Sequence, residues 1–187
     1  MIASFVQSEA VYAVRRKPRI LLAACGCSDA AKFGLLCKYF SVWAKVGVVL
    51  TQSSLQFINA EPMAHLYVTC ADSSIEYLEW ADVMVIAPLS ANTLAKIAKG
   101  LSDNLVTEIV RGWDYDKALY VAPSMDPIIW NDPLTAQQCN NIEKLGISII
   151  IPPSPTGENE FCQMAEPSEI SYTIYIGPSS YTRFHGL

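Results

Sequence analysis

The sequence predicts an α/β fold in which a parallel β-sheet is covered by helices on both faces. Five short segments rich in Val, Ile, Leu and Ala are apolar throughout, as strands buried on both sides must be. Stretches with helical spacing of apolar residues lie between them. The third segment, residues 83–86, runs straight into the polar elbow Pro88-Leu89-Ser90-Ala91-Asn92-Thr93 and then a helix. Open α/β sheets bind ligands at such elbows, because helix amides point at the strand ends. The elbow is uncharged and rich in small hydrogen-bonding groups, which suits an organic cofactor or substrate better than a metal.

Each element follows from its local pattern. Residues 19–24 form the first strand and 25–29 a turn. Residues 30–40 form a helix with apolar positions at 33, 36, 37 and 40. Residues 46–50 are a second strand ending in Thr51-Gln52-Ser53-Ser54, with a short helix expected over 55–59. Pro62 breaks any helix in residues 60–72, where 66–69 have the composition of a short edge strand. Ser73 and Glu76 have capping-box spacing and open a helix through Trp80. After the strand at 83–86, a helix from Asn92 to Lys99 stops at Gly100, and another runs from Ser102 through Val110. Residues 118–122 are the fourth strand, 123–126 its exit loop and 127–130 a turn of helix. A helix over 135–145 ends at Gly146, and the fifth strand, 147–151, ends at Pro152-Pro153. A loop rich in Pro and Gly spans 154–160. The tail from residue 172 reads as irregular, with 172–176 as an alternative final strand. The chain thus divides into an N-terminal arm (1–18), one domain (19–172) and a C-terminal tail (173–187).

Composition narrows the function. The 187 residues are 51% apolar and only 17% charged, enough for a single domain with a substantial core. A net charge of −5 and the lack of a basic patch rich in aromatics argue against a nucleic-acid partner. The six cysteines have no zinc-knuckle spacing and there are only two histidines, so no metal site is expected. No apolar run reaches membrane-spanning length. Residues 1–14 are mildly apolar and precede Arg15-Arg16-Lys17, the reverse of a secretory leader. A cytoplasmic setting with reduced thiols is therefore expected.

In a parallel sheet the loops after the first four strands share one edge. These are residues 26–29, 51–54, 88–93 and 123–126. The Gly26 turn lacks the full dinucleotide fingerprint, so a phosphate site and a plain turn both stay open. The hydroxyls at 51–54, and Ser90 with Asn92, suit a ligand and serve equally well as helix caps. Four polar loops on one edge favour the ligand reading more than any single loop does. Asp29 would repel a phosphate, so it is expected to cap the helix that begins at Ala30. Cys25 and Cys27 are poorly spaced for a redox pair and read as core. Asp126 is the best-placed acid, although Asp before Pro is also a common turn former. His65 has no recognisable acid partner. Trp80, Trp113 and Trp130 read as core or interface residues.

Several motifs are specific when taken together. They are Leu21-Leu22-Ala23-Ala24, Thr51-x-Ser53-Ser54-Leu55-x-Phe57, Trp80-Ala81-Asp82-Val83 and Ile86-Ala87-Pro88-Leu89-Ser90-Ala91-Asn92-Thr93-Leu94. Asp103-Asn104-Leu105, Trp113-Asp114-Tyr115, Val121-Ala122-Pro123, Leu145-Gly146-Ile147 and Met164-Ala165-Glu166-Pro167 complete the set. Over residues 19–172 the chain resembles the homo-oligomeric flavin-containing cysteine decarboxylases, nearest the eukaryotic phosphopantothenoylcysteine decarboxylases that include the halotolerance proteins of plants and fungi. The resemblance implies a flavodoxin-like three-layer sandwich and FMN at a subunit interface. It also implies a homo-oligomer (a trimer or a multiple of trimers) or a hetero-oligomer with a family paralogue. It places Gly26, Ser53 and Ser54 near the flavin phosphate, Ser90 and Asn92 at the flavin or ribityl chain, and Phe57 near the isoalloxazine ring. Ser28, Thr93 and Met125 complete the implied cofactor-binding set.

The same resemblance exposes four departures. The family's catalytic histidine position is Ser74. The arginine that holds the substrate carboxylate is Glu79. The substrate-binding Pro-Ala-Met-Asn is Pro123-Ser124-Met125-Asp126, with Asp126 in place of the amide. The flap cysteine before its Gly is Thr156. A hydroxyl is a poor proton acceptor at neutral pH, two carboxylates repel a carboxylate substrate, and threonine has no thiol chemistry. On the cofactor side Cys27 and Asp29 also depart. The pattern implies a cofactor scaffold that has lost its substrate chemistry, as a non-catalytic or complementing subunit. The alternative is an active FMN-dependent decarboxylase of a peptidyl or phosphopantothenoyl cysteine, in coenzyme A biosynthesis or a related pathway, whose base comes from elsewhere, for example His65.

Overall fold

The computed structural model describes residues 16–58, 74–152 and 163–177. The expected strand at 66–69, Ser73, His65 and Thr156 lie outside them. Five strands form one parallel sheet: β1 (Arg19–Ala24), β2 (Lys45–Leu50), β3 (Val83–Leu89), β4 (Leu119–Pro123) and β5 (Ile147–Ile149). Their order is β2-β1-β3-β4-β5. β1 and β3 pair directly from Ile20 opposite Val83 to Ala23 opposite Ile86. This is the flavodoxin-like order, in which the chain reverses its direction of winding between β1 and β3 and leaves a crevice there.

The apolar strand sequences split between two faces, as the alternation of side chains along a strand requires. Ile20, Leu22, Ala24, Val46, Val48, Val85, Ala87, Tyr120 and Ala122 face α1 (Phe33–Ser41) and α7 (Pro167–Ile176), meeting Phe33, Leu36, Phe40, Ile170 and Ile174. Leu21, Ala23, Met84, Ile86, Leu119 and Val121 face the opposite layer. There they meet α2 (Ser74–Trp80), α3 (Ala91–Lys99), α4 (Leu105–Gly112) and α6 (Pro133–Lys144). The short α5 (Pro127–Trp130) follows β4. Phe33 and Phe40 are wholly buried, and each contributes about 2–3 kcal/mol of hydrophobic stabilisation.

The end of the sheet away from the elbow is pinned by Asp82. Its carboxylate accepts two hydrogen bonds from Arg16 (2.7 and 2.8 Å) and one from the Arg19 amide (2.8 Å). The Arg16 hydrogen bonds hold its pKa well below the usual carboxylate range.

Several expectations need correction. The tail segment at 172–176 is the end of α7, not a strand or irregular chain, so the boundary at residue 172 falls inside a helix. Its Thr, Tyr and Ile favour strands in isolation, but a capping box between Glu166 and Glu169 and Pro167 in the first turn start a helix. Burial of Ile170 and Ile174 and a 3.0 Å bond from Trp43 Nε1 to Ser171 Oγ hold it on α1. The helix expected at 55–59 is instead a 3₁₀ turn at Gln52–Ser54. The first helix is preceded by a 3₁₀ turn, Ser28–Lys32. α4 begins at Leu105 rather than Ser102, because Asn104 is its cap.

Candidate functional site

The loops leaving β1, β2, β3 and β4 meet at one edge, and backbone hydrogen bonds tie them together. The amide of Cys25 donates to Pro88 O (3.0 Å), that of Thr51 to Ala24 O (3.1 Å) and that of Ser124 to Leu89 O (2.9 Å). The loops after β1 and β2 touch at Gly26. A Cβ built there would lie 2.5 Å from Ser53 Oγ, 2.6 Å from Ser53 Cβ and 2.7 Å from Ser53 O. Only glycine permits that approach. The amides of Gly26, Cys27, Ser28 and Gln52 find no backbone acceptor among the described residues. Unpaired amides converging at a glycine turn are donors suited to a phosphate. The donor set and the glycine cradle therefore fit a phosphate-bearing cofactor such as FMN.

The elbow residues divide between structure and surface. Ser90 Oγ caps α3 by accepting from the Thr93 amide (3.4 Å) and donates to Thr93 Oγ1 (3.2 Å). Thr93 is buried beside Cys25, whereas Asn92 is exposed. On the β2 loop Ser54 is wholly buried, with its hydroxyl donating to Thr51 O (2.7 Å), while Ser53 and Phe57 are exposed. Ser28 is exposed and Met125 is half-buried against the core. Gly26, Ser28, Ser53, Asn92 and Phe57 thus present surface at this edge. Ser54 and Thr93 shape the loops from within.

The departing positions are more dispersed. Ser74 is the first residue of α2 and half-buried. Glu79 is exposed and lies about 7.5 Å further along the same helix axis. Asp126 is the N-cap of α5, with Oδ1 accepting from the Ile128 amide (2.8 Å). The cysteines at the edge are not poised for redox chemistry. Cys25 is a free buried thiol and Cys27 a partly buried one, and burial pushes both pKa values up. No group of His, Cys, Asp and Glu that could hold a metal occurs among the described residues.

Asp29 does not cap the helix that follows it. Its Oδ2 accepts from Ser124 Oγ (2.8 Å) and from the Met164 amide (2.9 Å), and Lys32 Nζ lies 3.6 Å from Oδ1. The capping expectation fails because better donors arrive from across the fold. Those donors lie 95 and 135 residues away, so no local pattern in the sequence announces them.

Comparison with known proteins places these features in a wider set. The Flavoprotein family matches residues 9–175. Phosphopantothenoylcysteine decarboxylase HAL3a of Glycine max is 46% identical over 187 residues, covering 91% of this chain and 89% of the relative. Phosphopantothenoylcysteine decarboxylase of Mus musculus is 36% identical, covering 73% of this chain and 74% of the relative. Among solved structures, the FMN binding protein AtHal3 matches with a TM-score of 0.80 at 44% identity, covering 90% of this chain and all (100%) of that one. A mutant PPC decarboxylase complexed with pantothenoylaminoethenethiol gives 0.78 at 46% identity, covering 86% of this chain and 98% of that one.

Proposed function

Because this chain belongs to the flavoprotein family, and within it to the phosphopantothenoylcysteine decarboxylase group, we propose that it binds FMN at the C-terminal edge of its sheet without decarboxylating a substrate by itself. The observation that carries the cofactor half is the close approach of Gly26 to Ser53 beside amides with no backbone acceptor. Those amides and the exposed hydroxyls of Ser28 and Ser53 hold the phosphate. Ser90 and Asn92 face the flavin or its ribityl chain, with Phe57 and Met125 toward the ring. Ser54 and Thr93 keep the two loops in shape.

When bound, FMN supplies a two-electron acceptor. The residues around it do not supply the rest of the chemistry. Ser74 offers a hydroxyl where a proton acceptor is needed, and a hydroxyl does not take up a proton at neutral pH. Glu79 and Asp126 are exposed carboxylates that oppose an anionic substrate, and Asp126 is already committed to its own helix. Thr156 has no thiol to oxidise. The function is that of a cofactor-bearing subunit in a homo-oligomer (a trimer or a multiple of trimers), or in a mixed oligomer with an active relative. Apolar side chains exposed near the β4 exit, Ile128 (82%), Ile129 (44%) and Leu134 (54%), support assembly. A cytoplasmic setting belongs to the same reading. No helix among the described residues is long and apolar enough to cross a membrane.

The test is an absorption spectrum of the purified protein followed by an assay with phosphopantothenoylcysteine. A flavin spectrum with no carbon dioxide released supports the proposal. A colourless protein that does not take up added FMN removes the cofactor half. Release of carbon dioxide at a rate typical of an enzyme removes the other.

A further inference from the structure

Asp29 lies in the turn that follows β1, three residues beyond Gly26, and its side chain is 16% exposed. One oxygen, Oδ2, receives two donors that come from different segments: Ser124 Oγ at 2.8 Å and the Met164 amide at 2.9 Å. The other oxygen faces Lys32 Nζ at 3.6 Å, and Lys32 in turn donates to Glu166 Oε1 at 2.8 Å. Ser124 is itself fixed to β3, since its amide donates to Leu89 O at 2.9 Å, one residue before the elbow serine. Met164 and Ala165 are buried in the core beneath α1. A single carboxylate therefore joins the turn after β1, the exit of β4 and the start of α7. Hydrogen bonds to a charged acceptor in a largely buried setting are stronger than neutral ones.

We infer that Asp29 is a positioning residue: it locks these three segments into one unit and so holds the Gly26 turn in the shape that receives an anionic group. The identity of that group rests on the FMN reading; the clamp itself does not. Its lone pairs are spent on Ser124 and Met164, and Lys32 stands beside it, so its charge is turned away from the amides of the turn. Displacement of Asp29 passes along three residues to Gly26, whose contact with Ser53 has no slack.

The side-chain oxygen of Asn can accept two hydrogen bonds, so Asp29→Asn keeps both donors and loses only the charge. Asp29→Ala loses both, and Ser124→Ala loses one. Two readouts separate clamp from mere stability: amide hydrogen exchange at Met164 in the cofactor-free protein, and FMN affinity by fluorescence titration, each at a temperature where every variant is folded. Asp29→Ala is expected to speed Met164 exchange at least about tenfold and to raise the FMN Kd about 5- to 50-fold, the usual span of coupling between sites. Ser124→Ala gives a smaller change of the same kind, and carries the test if Asp29→Ala does not fold. Asp29→Asn stays within about twofold of the native protein on both readouts. Unchanged exchange and affinity in Asp29→Ala or Ser124→Ala overturn the inference, as does an Asn variant as weak as the Ala variant. If the native chain takes up no FMN, the cofactor reading fails, and Met164 exchange alone then decides the clamp: unchanged exchange overturns it and faster exchange supports it.

Discussion

Replacing Gly26 with Ala adds one methyl group at the point where the loops after β1 and β2 meet. The new carbon would sit 2.6 Å from Ser53 Cβ and 2.7 Å from Ser53 O. The second of these is backbone, so rotating the serine side chain does not relieve it. The loops must part by about 1 Å to reach ordinary contact, a shift of the size that overpacked sites accommodate at a cost of about 2 kcal/mol. For a chain of this length that lowers Tm by about 4–8 °C. The same displacement moves the amides that would hold a phosphate, and a misplacement of about 1 Å at a binding site costs up to a hundredfold. Thermal unfolding and FMN titration of the variant measure both effects. Ser53→Gly, added to Gly26→Ala, removes the Oγ and Cβ contacts but not the backbone one, so it restores only part of the loss. A Gly26→Ala protein with native Tm and native FMN affinity would refute the reasoning that these loops are in enforced contact.

Three further outcomes follow from the side-chain contacts. The Asp82 pKa is lowered in the folded state, chiefly by its hydrogen bonds with Arg16, so its contribution is whole above the unfolded value of about 4 and fades as pH falls below it. Urea midpoints should drop between about pH 4 and pH 2 in the native protein. Asp82→Ala should be less stable by about 1–2 kcal/mol at pH 7 and should flatten that slope. Asn104→Ala removes the capping box of α4, in which Asn104 Oδ1 and the Thr107 amide lie 3.2 Å apart, and should cost about 1 kcal/mol, read as a 2–4 °C fall in Tm. Burial pushes the thiols of Cys37 and Cys139 up to about 12 and about 11. Mass spectrometry after alkylation at pH 8 should find both unlabelled in the folded protein and labelled in urea.

What was legible in the sequence was local. β1 spans the expected residues, because six apolar-rich residues between a basic segment and a glycine turn leave little choice. The elbow was legible for the same reason: an apolar run, Ser90 as a cap and Gly100 in the left-handed conformation at the far end mark both limits of α3. α7 was misread because its β-branched and aromatic residues favour strands, and its helical state is imposed by packing on α1. The role of Asp29 could not be read at all, since its partners are brought to it only by the closing of the sheet. At the site, sequence marked the loops correctly as one edge. It could not say which hydroxyls point outward, as Ser53 does, and which turn in, as Ser54 and Thr93 do.

The central claim is that this edge keeps its cofactor while the substrate chemistry is gone. It is tested most directly by measuring carbon dioxide released from phosphopantothenoylcysteine by the purified chain alone, normalised to the FMN it carries. The expected result is close to one FMN per chain and no release above a flavin-only control. Sustained release in proportion to bound FMN, at turnover typical of an enzyme, would contradict it.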